Sequence, residues 1–174
     1  MAKCLICRRD ATYDQSRDVD PDPLIANCKY CGQYTAFKAV KDLIYRLAET
    51  SRLKLSGFCI ERTLLGAPVT FSTEENVQSA VEAAPTDILE KFDRLLLNLA
   101  RRTSYLGQLI ELDTEHEYSL GYCGSGSELL GQLNQLRQQG YIESNPNLTM
   151  RSVIMSVPGF KRASELRAAR RAVS

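Results

Sequence analysis

The chain has 174 residues, 44% of them apolar and 25% charged, and its 22 Lys and Arg against 21 Asp and Glu leave a formal net charge of +1. This is the balance of a folded globular protein, and near-neutrality excludes one that coats nucleic acid by bulk electrostatics; any such binding must come from a local patch. No apolar run approaches the roughly 18 residues of a membrane span, and Met1-Ala2-Lys3-Cys4 opens no secretory stretch, so a cytoplasmic protein with no membrane partner is expected.

The first element is a pair of knuckles, Cys4-Leu5-Ile6-Cys7 and Cys28-Lys29-Tyr30-Cys31-Gly32, with 20 residues between them. Two C-x-x-C steps at this distance can converge four thiolates on one tetrahedral ion, and zinc suits all-sulfur ligation best. Gly32 lets the second backbone turn back under the metal. The competing readings are two disulfides, which need an oxidising compartment, or iron and sulfur. Cys4, Cys7, Cys28 and Cys31 are therefore predicted to hold a structural Zn2+ ion, with no open position for substrate. Cys59 and Cys123 remain as inert fillers, since neither has a histidine base beside it.

Pro21 and Pro23 break any helix between the knuckles, where Asp and Arg alternate in a solvated loop. Tyr34-Thr35 closes the ribbon. The spacing of Phe37, Val40, Leu43, Ile44 and Leu47 predicts a helix over 36–50 with one buried face, and a second helix over 52–65 ends at Gly66-Ala67-Pro68. After the short Val69-Thr70-Phe71, Ser72-Thr73-Glu74-Glu75 reads as a capping box for a third helix to about residue 83. Ala84-Pro85 marks a boundary.

Thr86-Asp87 caps a strong helix with Ile88, Leu89, Phe92, Leu95, Leu96 and Leu99 inside, followed by a strand over 108–112. A Gly/Ser turn over 121–127 leads into a helix over 127–139. Its Leu129, Leu130, Leu133 and Leu136 are predicted to face inward, and Gln132, Asn134, Gln135 and Gln138 outward. Gly140 supplies the left-handed stop, Tyr141-Ile142-Glu143 starts a strand, Ser144-Asn145-Pro146-Asn147 turns it, and a second strand over 148–157 precedes a final helix from Pro158-Gly159-Phe160. This order is that of a winged helix, with a generic helical domain carrying a hairpin as the alternative. The helix before the recognition helix is reduced to Ser119-Leu120-Gly121-Tyr122, which makes the helix-turn-helix degenerate. The expected fold is mainly α with small β elements: a zinc ribbon over 1–35, a helical linker domain over 36–84 and a winged-helix-like domain over 85–174.

The four knuckle cysteines, residues 85–100 and 128–142, and the run from Ser156-Val157-Pro158-Gly159-Phe160 to Leu166 together resemble the N-terminal region of certain bacterial proteins. Those chains continue into a TIR-like or nucleoside deoxyribosyltransferase-like α/β domain. The resemblance implies that nucleotide chemistry would belong to that further half, which would begin near Ser174, and that this region serves the sensing or regulatory side of a defence or stress protein.

Catalytic chemistry is not expected. His116, the sole histidine, lies among Glu111, Asp113, Glu115 and Glu117, which reads as a solvated acidic loop rather than a metal or general-base site. The 121–127 turn lacks the lysine of a phosphate-binding loop. Two binding readings remain. In the first, Gln132, Asn134, Gln135 and Gln138 read base edges, Arg137 adds a contact, and Lys161 and Arg162 hold phosphates, with DNA favoured over RNA. The tail from 160 to 174 supports it, with Lys161, Arg162, Arg167, Arg170 and Arg171 against Glu165 alone, five minus one, or +4. In the second, the chain is a protein-interaction or homodimerisation module that binds no nucleic acid. Neither reading requires a small-molecule substrate.

Overall fold

A computed structural model describes residues 2–15, 23–144, 147 and 149–173, and divides the chain into two compact units, 1–85 and 86–174. Unit 1 is built on a five-stranded sheet in the order β1 (Ala2–Lys3), β2 (Asp10–Gln15), β3 (Leu24–Cys28), β4 (Gly32–Ala36), β5 (Val69–Phe71). The first four strands run antiparallel, in a register that sets Cys28 opposite Gly32, Tyr13 opposite Ala26 and Ala26 opposite Tyr34. Alternation decides which side chains turn inward: Ala26 and Cys28 on β3, Tyr34 and Ala36 on β4.

Between β4 and β5 the chain forms α1 (Lys38–Arg46) and α2 (Glu49–Leu64), a crossover long enough to return β5 parallel to β4. Ala36, expected in a helix, pairs with Leu24 in the ladder, and the helix starts only after Phe37, whose N–H donates to Phe71 O at 3.0 Å. The expected helices over 36–50 and 52–65 therefore become 38–46 and 49–64, separated at Leu47 and Ala48 by extended backbone that no glycine or proline announces. α3 (Glu74–Glu82) is capped one residue later than the S-x-x-E pattern implies: Thr73 Oγ1, not Ser72, accepts from Asn76 N at 3.2 Å.

One core joins the ribbon to these helices. Ile6, Tyr34, Val40, Ile44, Leu55, Phe71 and Val77 are buried together with the knuckle cysteines. The expected domain boundary at 35/36 runs through the middle of this core.

Unit 2 begins with α4 (Ile88–Arg102), where Asp87 Oδ1 accepts from Leu89 N at 2.8 Å and Glu90 N at 3.1 Å. Leu95, Leu96 and Leu99 are buried as expected. Ile88 and Leu89, expected inside as well, are instead 69% and 72% exposed on the first turn of α4. β6 (Leu109–Glu111) follows, then a short 3-10 turn (Tyr118–Gly121), α5 (Gly126–Gln138), β7 (Ser152–Ile154) and α6 (Val157–Val173). β6 pairs antiparallel with β7, and Ile142 bridges Met155 on the other edge of β7, with Glu143 N donating to Ile154 O at 2.8 Å.

Pro158 sits in the first turn of α6, where its missing N–H leaves no helix bond unmade, and Ser156 Oγ accepts from Gly159 N at 3.1 Å. Positions 145, 146 and 148 of the expected wing lie outside the described residues. No helix among the described residues is long and apolar enough to cross a membrane.

Candidate metal centre and the face of the second unit

The two knuckles are built alike. In the first, Arg8 N donates to Cys4 O at 2.9 Å and Cys4 N to Arg9 O at 2.7 Å, closing the turn over the sulfurs. The residue after the second cysteine of each knuckle is left-handed, Arg8 at φ +62° and Gly32 at φ +75°. Glycine takes this backbone without strain; Arg8 is held in it by its guanidinium, which donates to Tyr45 O at 2.7 Å and lies 4.5 Å over the Tyr45 ring. A Cβ at position 32 would run into the Thr63 side chain of α2, whose Oγ1 accepts from Gln33 N at 2.8 Å. Helix α2 thus clamps the second knuckle, while Tyr13 holds the first, its hydroxyl accepting from Leu5 N at 3.1 Å and donating to Lys3 O at 2.7 Å.

These turns bring Cys4, Cys7, Cys28 and Cys31 together with all four sulfurs within 4.8 Å of one another. Cys4 Sγ lies 3.8 Å from Cys31 Sγ, and Cys7 Sγ 3.5 Å from Cys28 Sγ. A tetrahedron with metal–sulfur bonds of about 2.3 Å has edges of about 3.8 Å, so the cluster fits a four-coordinate ion. Every cysteine is free, and sulfur pairs at these distances are far from the roughly 2.04 Å of a disulfide. The group could hold a metal ion, and four ligands would leave it no vacant position for a reacting molecule.

The surroundings treat the sulfurs unequally. Cys4, Cys28 and Cys31 are buried and Cys7 is half-buried. Hydrogen bonds from Cys28, then Cys31 and Cys7, hold Cys4 far below the usual thiol range, whereas Cys31 is pushed well above it by Cys28 first and then Cys4 and Cys7. Two hydroxyls complete the cluster: Tyr34 OH lies 3.2 Å from Cys4 Sγ, and Ser56 Oγ lies 3.2 Å from Cys31 Sγ. Burial, and then the Cys4 charge, push Tyr34 above the usual phenol range, so it keeps its proton and donates it to Cys4. Neither hydroxyl belongs to the cysteine pattern, although Tyr34 stands three residues beyond Cys31.

On unit 2 the structure separates the side chains expected to meet nucleic acid. Asn134, Gln135, Gln138 and Lys161 are exposed. Gln132 is not: it is 7% exposed, and its amide oxygen and nitrogen have no hydrogen-bond partner among the described residues. It falls on the inner stripe 129, 132, 133, 136 of α5, so helical position overrides its polarity. Arg137 is engaged inside the unit, donating to Met150 O at 2.9 Å and Ser152 O at 2.8 Å. Arg162 forms ion pairs with Asp93 at 3.7 Å and Glu165 at 3.8 Å.

The loop chemistry set aside from sequence is likewise tied up locally. His116 Nδ1 lies 2.8 Å from Asp113 Oδ2, and Glu117 Oε1 accepts from Arg102 at 2.8 Å while its Oε2 accepts from Asp113 N at 2.7 Å. At the start of α5, the N-cap Ser125 Oγ accepts from Glu128 N at 3.2 Å and Glu128 Oε2 from Gly124 N, one residue before the cap, at 2.6 Å, which sets the chain's own carboxylate at the helix terminus. A cavity of about 460 Å³ opens between α4 and α5, lined by Ile88, Leu89, Phe92, Gly131, Gln132 and Gln135 among others.

Comparison with protein-family models, curated proteins and solved structures returns no match, so the reading of these sites rests on their own geometry.

Proposed function

We propose that the protein is a zinc-stabilised nucleic-acid-binding module, in which unit 1 carries a structural Zn2+ on Cys4, Cys7, Cys28 and Cys31 and unit 2 is a winged helix that contacts DNA. Zinc is favoured because all four donors are thiolates in near-tetrahedral array, the preference of a soft-tolerant ion with no geometric demand of its own. With its ligand positions filled, the ion supplies folding energy rather than catalysis, and the module has no reaction centre.

The observation that carries the DNA reading is the path of the chain after α5. The helix ends at Gly140, φ +73°, and residues 142–143 return directly along β7, which itself pairs with β6. This run of three paired short segments after a helix that exposes Asn134, Gln135 and Gln138 supports the reading of a winged helix whose amide side chains would meet base edges. Gln132 and Arg137 take no part in reading the duplex because they serve the interior. By the family resemblance, the module would be the regulatory part of a larger bacterial defence or stress protein.

The test has two parts. Protein purified without added metal is expected to contain one zinc per chain. A labelled duplex is expected to bind at ~50 mM salt with affinity falling steeply toward ~200 mM. Absence of duplex binding at the lower salt rejects the DNA reading. A second reading, homodimerisation of unit 2, is favoured by the cavity beside the exposed Ile88 and Leu89; sedimentation of wild-type protein and of Leu89→Glu decides it, with loss of a dimer in the variant as the supporting result.

A further inference from the structure

We infer that the cavity between α4 and α5 binds a small, largely apolar molecule carrying an amide-like edge, a hydrogen-bond donor beside an acceptor, and that Gln132 recognises that edge. Both helices pack against the 3-10 turn at Tyr118–Gly121, and the Lys91–Glu128 ion pair at 3.1 Å ties them together beside the cavity. The space of about 460 Å³ falls within the roughly 300–1,000 Å³ of small-molecule sites. Ile88, Leu89 and Phe92 supply an apolar wall on α4, faced across the cavity by Gly131, Gln132 and Gln135 of α5.

Three departures from ordinary helix sequence meet on this one cavity. Ile88 and Leu89 are large apolar side chains left mostly in solvent. Gly131 stands in the middle of α5, where glycine weakens a helix relative to alanine, yet a Cβ there would meet nothing within 4 Å, so no neighbour excludes a side chain. Gln132 has both amide atoms shut off from solvent and unpaired among the described residues, which costs stability. Each alone has a plain structural reading: an uncovered helix start, an exposed glycine, a core amide. Their coincidence on one surface has none, and local rules broken together without a gain to the fold mark a functional site.

Gln132 sets the chemistry of the occupant. A carboxamide offers an acceptor and two donors in one plane, and an amide-like edge returns the complementary pair. The amide is tucked toward the 3-10 turn, its Oε1 3.1 Å from where a Cβ on Gly121 would stand, and rotation about its own side-chain bonds turns it to the cavity that the residue lines. An occupant that supplies the missing pair is therefore favoured over one of the same shape that does not. A second copy of the chain seated on Ile88 and Leu89 would cover the apolar wall and leave the amide unpaired. The site thus stands apart from the dimer, and it makes no use of Asn134 or Gln138, on which the DNA reading rests.

The experiment titrates the full chain with benzamide and with acetophenone, which share a shape and differ in carrying NH2 or CH3 beside the carbonyl, and follows the amide NMR spectrum, side chains included. Benzamide is expected to bind with a Kd on the order of 1 mM, as suits so small a ligand, and to move the Gln132 side-chain signals. It should bind about tenfold more tightly than acetophenone. Gln132→Leu keeps the bulk and removes the amide, so it should melt no lower than wild type and bind the two probes equally. Gly131→Leu fills the cavity from α5 and should abolish binding of both.

No shift with either probe well above that concentration overturns the site. So does equal binding of the two by wild type, or a preference for benzamide that survives Gln132→Leu, since either makes the cavity a plain apolar cleft. A Gln132→Leu protein that melts lower than wild type returns the amide to the fold and overturns its role in recognition. Benzamide bound by Gly131→Leu as by wild type places the ligand elsewhere. A dimer broken by Leu89→Glu, with benzamide without effect on wild type, assigns the cavity to the second copy and overturns the site while the dimer reading stands.

Discussion

The hydroxyl of Tyr34 lies 3.2 Å from the sulfur of Cys4, at the centre of unit 1, with both residues almost wholly shut off from solvent. A buried thiolate keeps its charge only if donors face it, and Tyr34 is placed to be one.

Replacing Tyr34 with Phe keeps the ring in place against Phe71, 6.4 Å away between centroids, and removes only that donor. Metal affinity is expected to fall by about 10- to 100-fold, read by competition with a chromophoric chelator. Ser56→Ala, which removes the hydroxyl 3.2 Å from Cys31 Sγ, should act in the same direction. A cobalt-loaded sample should show the sulfur-to-metal charge-transfer band displaced in both variants, a signature that a packing defect alone would not produce.

Gly32 and Gly140 share nearly the same backbone, φ +75° and φ +73°, in different surroundings. A Cβ at 140 meets open space, whereas one at 32 meets Thr63. Gly140→Ala is expected to cost about 1 kcal/mol, the strain of a left-handed L-residue. Gly32→Ala adds a collision that can be relieved only by moving α2 off the knuckle. Chemical denaturation of the metal-loaded protein should show the larger loss at 32, accompanied by faster release of the metal to chelator.

Arg137 binds the carbonyls of Met150 and Ser152 and is partly withdrawn from solvent. Arg137→Gln is therefore expected to destabilise unit 2 by about 1–3 kcal/mol, the range for losing hydrogen bonds from a charged donor. The salt slope of duplex binding should stay as in wild type. A slope reduced by about 1 with unchanged stability would return this residue to the binding surface.

Cys123 is fully buried, and its thiol is pushed up to about 12 by burial first and by the Glu128 carboxylate second, from an ordinary value of 9.0. The folded state thus disfavours the thiolate that the unfolded chain forms readily above pH 9. Stability from this group is complete below pH 9 and is lost as pH rises from 9 toward 12. Alkylation at pH 8 should leave Cys123 unmodified in the folded protein. Cys123→Ala should flatten the alkaline limb of the stability profile of unit 2.

What could be read without coordinates was what depends on near neighbours in the chain. The knuckles announced the four-sulfur cluster, which could hold a metal ion, because two residues between cysteines already aim both sulfurs of each pair to one side. Asp87 and Gly140 announced the ends of their helices because a cap bonds within its own turn. Side chains on α5 were harder: Gln132 lies on the same stripe as Leu129, Leu133 and Leu136, and ranking it by polarity rather than by that stripe sent it to the wrong face. The carbonyl bonds of Arg137 were not legible for another reason, since its partners at 150 and 152 lie across a turn whose closure no local pattern specifies.

By itself, then, the amino-acid sequence determined the two cysteine knuckles, the mainly helical character and the caps, each a matter of contacts spanning a few residues, and the repeated C-x-x-C spacing pointed to their convergence. Only the tertiary structure decided that the ribbon shares one core with α1–α3, that β5 joins the sheet in parallel, and that Tyr34 and Ser56 face the sulfurs. Each of these is a meeting of segments far apart in the chain, and such meetings are selected by the burial of whole faces rather than by any residue's own preference.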